Sequence, residues 1–206
     1  MTQYIRLIFV SIVFLATSNF DVYGQSYNDY KIYSAIINNK EINWTNKNTI
    51  LVIKNVKLDD SHREFLEELN VNPDMILSMS YFDNESAKKY MTDRNYKDAI
   101  LGLLKTSTQK INVKSFKHAI FNLKSISKRK FYSFFKQDID KGWNKINEKY
   151  QSNWVIEFSE VSFSGNYAAV YYGYYCGGLC GSGQLLVLEK KSTDWEMISN
   201  INLWMH

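Results

Sequence analysis

The sequence predicts an α+β fold: N-terminal helices with a short strand, then a C-terminal four-stranded antiparallel meander covered by helices. Three observations predict it. Toward the C-terminus, β-branched and aromatic residues form short runs separated by glycine-, asparagine- and serine-containing turns. Upstream, apolar residues recur at helical spacing behind side chains that cap helices. The middle C-terminal strands are apolar on both faces, so helices must cover at least one of them.

Taken in order, Tyr30, Tyr33, Ile36 and Ile37 share one face of a short amphipathic helix over residues 27–39. Thr49 to Val56 is a β-branched run flanked by asparagine-rich turns and reads as a strand. Asp59-Asp60-Ser61 offers an N-cap before Phe65, Leu66 and Leu69. Pro73, the only proline, suits the first turn of another helix running toward Tyr81 and Phe82. Lys88 to Leu104 is weakly helical, and Ile111 to Leu123 fits strand and helix equally. Ser127 caps a helix whose apolar residues are Phe131, Phe134 and Phe135. Four strands follow, at Trp154–Phe163, Ala168–Cys176, Gln184–Lys190 and Trp195–Trp204, joined by short turns as an antiparallel meander requires.

Residues 1–24 read as a secretory signal peptide. Arg6 supplies the positive start, Leu7 to Ala16 the uncharged apolar core, and Val22-Tyr23-Gly24 the small residues expected before cleavage. A spanning helix needs roughly 20 apolar residues, and Asn19 and Asp21 end this run too soon. The expectation is an exported protein, periplasmic or secreted, beginning near Gln25 and with no transmembrane segment in the mature chain. Residues 25–206 then form a single domain, helical to about residue 150 and sheet beyond it.

The net charge of +4 is too mild to imply a nucleic-acid partner, and no nucleic-acid-reading motif is present. Its distribution is uneven. Residues 59–98 hold ten acidic and five basic side chains, whereas 99–137 hold nine basic and none acidic. Two complementary solvated faces would account for this. So would a basic surface, around Lys124, Lys128, Arg129 and Lys130, for an anionic glycan, a phospholipid or an acidic protein.

Cys176 and Cys180 are the only cysteines. Gly177-Gly178-Leu179 between them permits a tight hairpin. Opposed residues of an antiparallel pair lie about 4.5–5.5 Å apart at Cα, which a disulfide accepts. The spacing is not Cys-x-x-Cys, which argues against a redox pair, and no histidine lies nearby to complete a metal site. His62, His118 and His206 are scattered, no Gly-x-Ser-x-Gly elbow surrounds Ser182, and Gly177-Gly178 lacks the partners of a phosphate loop. No metal or cofactor is expected. Tyr171, Tyr172, Tyr174 and Tyr175 divide between the two faces of one strand. One pair faces the core; the other either packs across strands or offers a surface to sugar rings or a protein.

The string Ser159-x-Val161-x-Phe163, Ala168-Ala-Val-Tyr171, Cys176-Gly-Gly-Leu-Cys180-Gly-Ser-Gly183, Leu188-x-Lys190, Trp195 and Leu203-Trp204 resembles a family of small uncharacterised exported bacterial proteins. That family's pattern is Ser-x-Val-Gly-Phe, Ala-Leu-Val-Tyr, a Cys-Gly-x-x-Cys-Gly hairpin and a final Trp. Ser162 stands here where the pattern has glycine. The resemblance covers the last quarter to third of the chain. It implies the fold and the compartment, and no chemistry.

Two functions remain in view. A non-catalytic binding or interaction module would use the tyrosine face, the hairpin tip or the basic segment. A small extracytoplasmic enzyme would assemble its site from dispersed acidic and His residues, and would show titratable side chains converging in a pocket.

Overall fold

The computed structural model describes residues 28–39, 49–74, 84–108, 110–116 and 121–205. The signal peptide at 1–24 and most of the helix expected after Pro73 lie outside the described residues, as do His118 and His206. Among the described residues, no helix is long and apolar enough to cross a membrane.

The fold is α+β. Helix α1 occupies residues 28–37, followed by β1 (Thr49–Lys54), α2 (Asp60–Val71), α3 (Asn84–Thr92) and α4 (Arg94–Leu101). A 3₁₀ turn at Gly102–Lys105 continues α4, and a second lies at Val113–Ser115. Then come β2 (Asn122–Ser127), α5 (Lys128–Ser133), α6 (Ile139–Tyr150), β3 (Val155–Phe158), β4 (Ser162–Ser164), β5 (Tyr167–Gly177), β6 (Cys180–Lys191) and β7 (Asp194–Met205).

The caps show why helices start where they do. Asp59 accepts from the His62 amide at 3.0 Å, and Ser127 Oγ from the Lys130 amide at 3.2 Å. Asp93 separates α3 from α4 by accepting from the amides of Asn95 and Tyr96.

One seven-stranded sheet runs through the fold in the order β2-β1-β3-β5-β6-β7, with β4 also paired to β5. This corrects the expected four-stranded sheet. β1 and β2 join it in parallel, so it is not confined to residues beyond 150. β2 was not foreseen as a strand; it takes the end of the 111–123 segment and extends to the Ser127 cap. The first expected C-terminal strand is also broken in two. Between β3 and β4, Ser159 donates its amide to the Tyr171 carbonyl at 3.0 Å, while its Oγ accepts the Tyr171 amide at 3.0 Å. A side chain thus substitutes for a ladder carbonyl, and the chain leaves β5 for two residues before β4 resumes the pairing.

Both faces of the sheet are covered. On one, α1 brings Tyr30, Ile32, Tyr33, Ile36 and Ile37 against Ile50, Val52, Ile156, Phe158, Val170 and Tyr172. On the other, two helical groups lie side by side. α2, α3 and α4 pack over Tyr167, Ala169, Tyr171, Leu185, Val187 and Ile201. α5 and α6 pack over Leu51, Ile53, Ile126 and Val155. A seam runs between these groups above β3 and β5.

Candidate functional site

The hairpin closes as a disulfide between Cys176 and Cys180, with Cα atoms 5.0 Å apart. A bond of this kind is compatible with an exported protein. Leu179 at its tip is exposed, and Gly177 holds φ +147°, a conformation that favours glycine.

The four tyrosines do not form an exposed face. Tyr171 and Tyr172 are 3% and 1% exposed, on opposite sides of β5, because helices cover both faces. Tyr172 lies between Phe158 and Tyr174, with ring centroids 5.3 and 5.9 Å away. Tyr174 packs on Trp154, and Tyr175 on Phe131 and Trp204. Tyr174 and Tyr175 are each half-buried.

The basic residues are spread out. Lys124 sits on β2, the outermost strand, and donates to the Tyr150 carbonyl at 3.3 Å. Lysine on such an edge discourages pairing with other chains. Lys128 is half-buried at the seam, Arg129 is exposed, and Lys130 Nζ stands 4.8 Å from the Phe134 ring centroid.

The seam brings together titratable groups that are remote in sequence. One row across four strands explains how. Glu157 of β3 pairs with Gly173 of β5, Gly173 with Gly183 of β6, and Gly183 with Trp204 of β7. The two glycines leave a trough, which larger neighbours fill. A Cβ on Gly173 would stand 2.9 Å from Tyr171 Oη and 3.0 Å from Glu157 Cγ, and one on Gly183 would stand 1.9 Å from Trp204 Nε1. Tyr171 bridges the trough. Its hydroxyl accepts from Trp204 Nε1 at 3.2 Å and donates to Glu157 Oε1 at 3.3 Å. Tyr175 donates to the same oxygen at 2.9 Å.

Glu157 Oε2 is buried with no hydrogen-bond partner among the described residues. Burial pushes the Glu157 carboxyl above the usual carboxylate range, outweighing the opposing pull of Lys128 and the two tyrosine hydroxyls. Burial likewise pushes the phenols of Tyr171 and Tyr175 far up, and the nearby Glu157 adds to this.

His62, in the first turn of α2, lies over Tyr171 with ring centroids 4.8 Å apart. Its Nδ1 is 2.8 Å from Asp59 Oδ1, close enough for charge attraction but not aligned as a hydrogen bond. Burial lowers the His62 pKa more than Asp59 raises it, and Lys128 lowers it further. The imidazole is therefore neutral near pH 7. Chemically, the seam holds a carboxyl group, two phenols, an imidazole and an indole in one connected patch.

A different place offers room. A groove of about 750 Å³ opens where α4 and its 3₁₀ turn face β4. Arg94, Asp98, Lys105 and Glu160 line it, with Thr106, Ser162, Ser164 and Asn70. The Thr106 hydroxyl donates to the Leu103 carbonyl at 2.7 Å and that of Ser164 to Asn95 Oδ1 at 3.3 Å, so each keeps its oxygen to accept. Glu160 Oε2 is anchored by the amide and hydroxyl of Ser107 at 2.7 and 3.0 Å. Arg94 lies 3.5 Å from Asp98 one turn along α4. Gly102 lets the 3₁₀ turn sit against Ser162, since a Cβ there would fall 2.1 Å from Ser162 Oγ. None of the four charged side chains is buried.

Neither the groove nor the Glu157 trough was foreseen from sequence. The mid-strand glycines at 173 and 183 were the available signal, since a glycine inside a strand often marks a close approach. Among the described residues, no group of three or more His, Cys, Asp or Glu side chains is placed to hold a metal. No family model matches the chain, and no curated protein or solved structure matches it either.

Proposed function

We propose that the protein is an exported, non-catalytic binding module that seats a small, uncharged, polyhydroxylated ligand, such as a short glycan, in the groove beneath β4. Membership of the exported family that the C-terminal residues resemble is part of this proposal. The observation that carries it is the groove's lining. Arg94 and Lys105 balance Asp98 and Glu160, so a charged ligand gains no net attraction. The hydroxyl, amide, guanidinium and carboxylate groups together supply both donors and acceptors, as a ring of hydroxyls requires. The volume is within the range of about 300–1,000 Å³ of small-molecule sites.

Calorimetric titration with a panel of neutral and acidic saccharides tests the reading. A neutral saccharide should bind, and Asn70→Ala and Ser164→Ala should each weaken it roughly two- to tenfold, the worth of one neutral hydrogen bond. Failure of every neutral saccharide, or binding indifferent to both substitutions, argues against the groove.

A second reading, a small extracytoplasmic enzyme, is favoured by the convergence of Glu157, Tyr171, Tyr175 and His62 in the seam. The two readings separate once a ligand is known. A binding module returns its ligand unchanged after long incubation, whereas an enzyme converts it and loses that conversion in Glu157→Gln.

A further inference from the structure

Six large apolar side chains are strongly exposed among the described residues, and four of them gather at the disulfide end of the sheet. Leu179, at the hairpin tip, is 89% exposed, Met205 77%, Ile139 54% and Tyr132 50%. They come from four elements that meet there. Gly178 lies against the start of α6, where a Cβ would be 2.9 Å from Ile139 Cγ2. Met205 pairs with Ser182, two residues beyond Cys180. Tyr132 neighbours Phe131, which packs on Tyr175 just before the hairpin turns.

The charge around this end is mixed with a basic excess, and Asp140 stands against the tip, its Oδ1 3.5 Å from where a Cβ on Gly178 would lie. From Val161 to Leu188 the chain has no charged residue, and the hairpin tip from Gly173 to Gly183 presents only apolar, hydroxyl, disulfide and backbone groups. The flanking segment 128–141 carries Lys128, Arg129, Lys130, Lys136 and Lys141 against Asp138 and Asp140. All of these except Lys128 are exposed. An uncharged apolar tip beside a basic flank is the pattern of a surface that enters the headgroup region of an anionic bilayer. The disulfide suits this use, because a tip already held in one conformation loses little freedom on insertion.

We propose that the disulfide-tied end of the sheet docks on an anionic lipid surface, with Leu179, Ile139, Met205 and Tyr132 entering the headgroup region and the basic flank facing lipid phosphates. This goes beyond the ligand groove and does not depend on it. A protein partner is the less suitable occupant, because four residues on a protruding end make a small patch beside the roughly 800 Å² per partner of a stable interface.

The experiment is flotation of the exported, processed protein, its N-terminus verified, with two kinds of vesicle. One is phosphatidylcholine alone; the other is phosphatidylcholine mixed equally with phosphatidylglycerol. The protein should float with the anionic vesicles, and high salt should weaken that binding. Leu179→Ser should reduce it about tenfold, as loss of one buried leucine predicts. Ile139→Ser provides an independent variant on another element and should also reduce it. No flotation with anionic vesicles at low salt overturns the proposal. So does equal binding to phosphatidylcholine alone, or binding unchanged in both variants. Saccharide affinity should be the same in Leu179→Ser as in the parent, which keeps the two proposals separable.

Discussion

Replacing Glu157 by glutamine should change how stability depends on pH, and the geometry of the trough says in which direction. In the folded protein the carboxyl holds its proton more tightly than in the unfolded chain, because burial disfavours its charge. Such a group stabilises the fold fully below the ordinary glutamate value of about 4.3. That contribution is lost as pH rises through the folded value, with a limiting slope of about 1.4 kcal/mol per pH unit for one proton. Glutamine cannot ionise and removes the slope. It can still accept from Tyr171 and Tyr175 through its carbonyl. Its amide, however, puts two donors where the protonated carboxyl has one, at a position with no partner among the described residues, and the extra unmade bond costs about 1–3 kcal/mol. At pH 4 the variant should therefore be the less stable protein, and the gap should narrow or reverse by pH 8. Urea unfolding of both proteins across that range measures it. The His62 contribution, with its lowered pKa, runs the opposite way but is common to both and cancels in the difference. A gap that stays constant from pH 4 to 8 would refute the upward push of burial on the Glu157 carboxyl.

Three further outcomes are expected. Gly183→Ala should destabilise the fold by about 1–3 kcal/mol through overpacking, since its Cβ would meet the Trp204 indole at 1.9 Å; parent-like stability in chemical denaturation would show that the indole does not sit on Gly183. Replacing Cys176 and Cys180 together by serine should cost about 2 kcal/mol, the value for so short a loop, and should leave the rest of the sheet folded by circular dichroism; a loss of the whole fold would contradict the tip's being a local closure. Expressed with its full sequence in a bacterial host, the protein should be recovered outside the cytoplasm with an N-terminus near Gln25; an intact Met1 on the exported chain would overturn the signal-peptide reading.

The α+β class was legible because its signals are local. Alternating aromatic and β-branched runs marked the C-terminal strands, and Asp59 and Ser127 cap the helices that their positions announced. What stayed hidden depends on pairing between distant segments. β2, Asn-Leu-Lys-Ser-Ile-Ser, buries only Ile126 completely, so an outer strand of this kind carries little hydrophobic pattern. Its parallel partner β1 lies some seventy residues earlier, with Thr49 opposite Asn122. Glu157 was hidden for a different reason. In an alternating strand a glutamate reads as facing water, but α2 and α5 flank the space above it, and Gly173 opposite gives it room. The tyrosines divided between two faces as their spacing required; Tyr171 and Tyr172 are buried there, and Tyr174 and Tyr175 half-buried. The groove draws on Asn70, residues 94–106 and residues 160–164, which no single motif could join.

The proposed ligand seat is tested most directly by mapping amide chemical shifts during titration with a neutral saccharide. Saturable changes should gather at Asn70, Arg94, Thr106, Ser162 and Ser164, with the amides of Glu157, Tyr171 and Tyr175 unmoved. Changes centred on the seam, or none with any neutral saccharide at millimolar concentration, would contradict it.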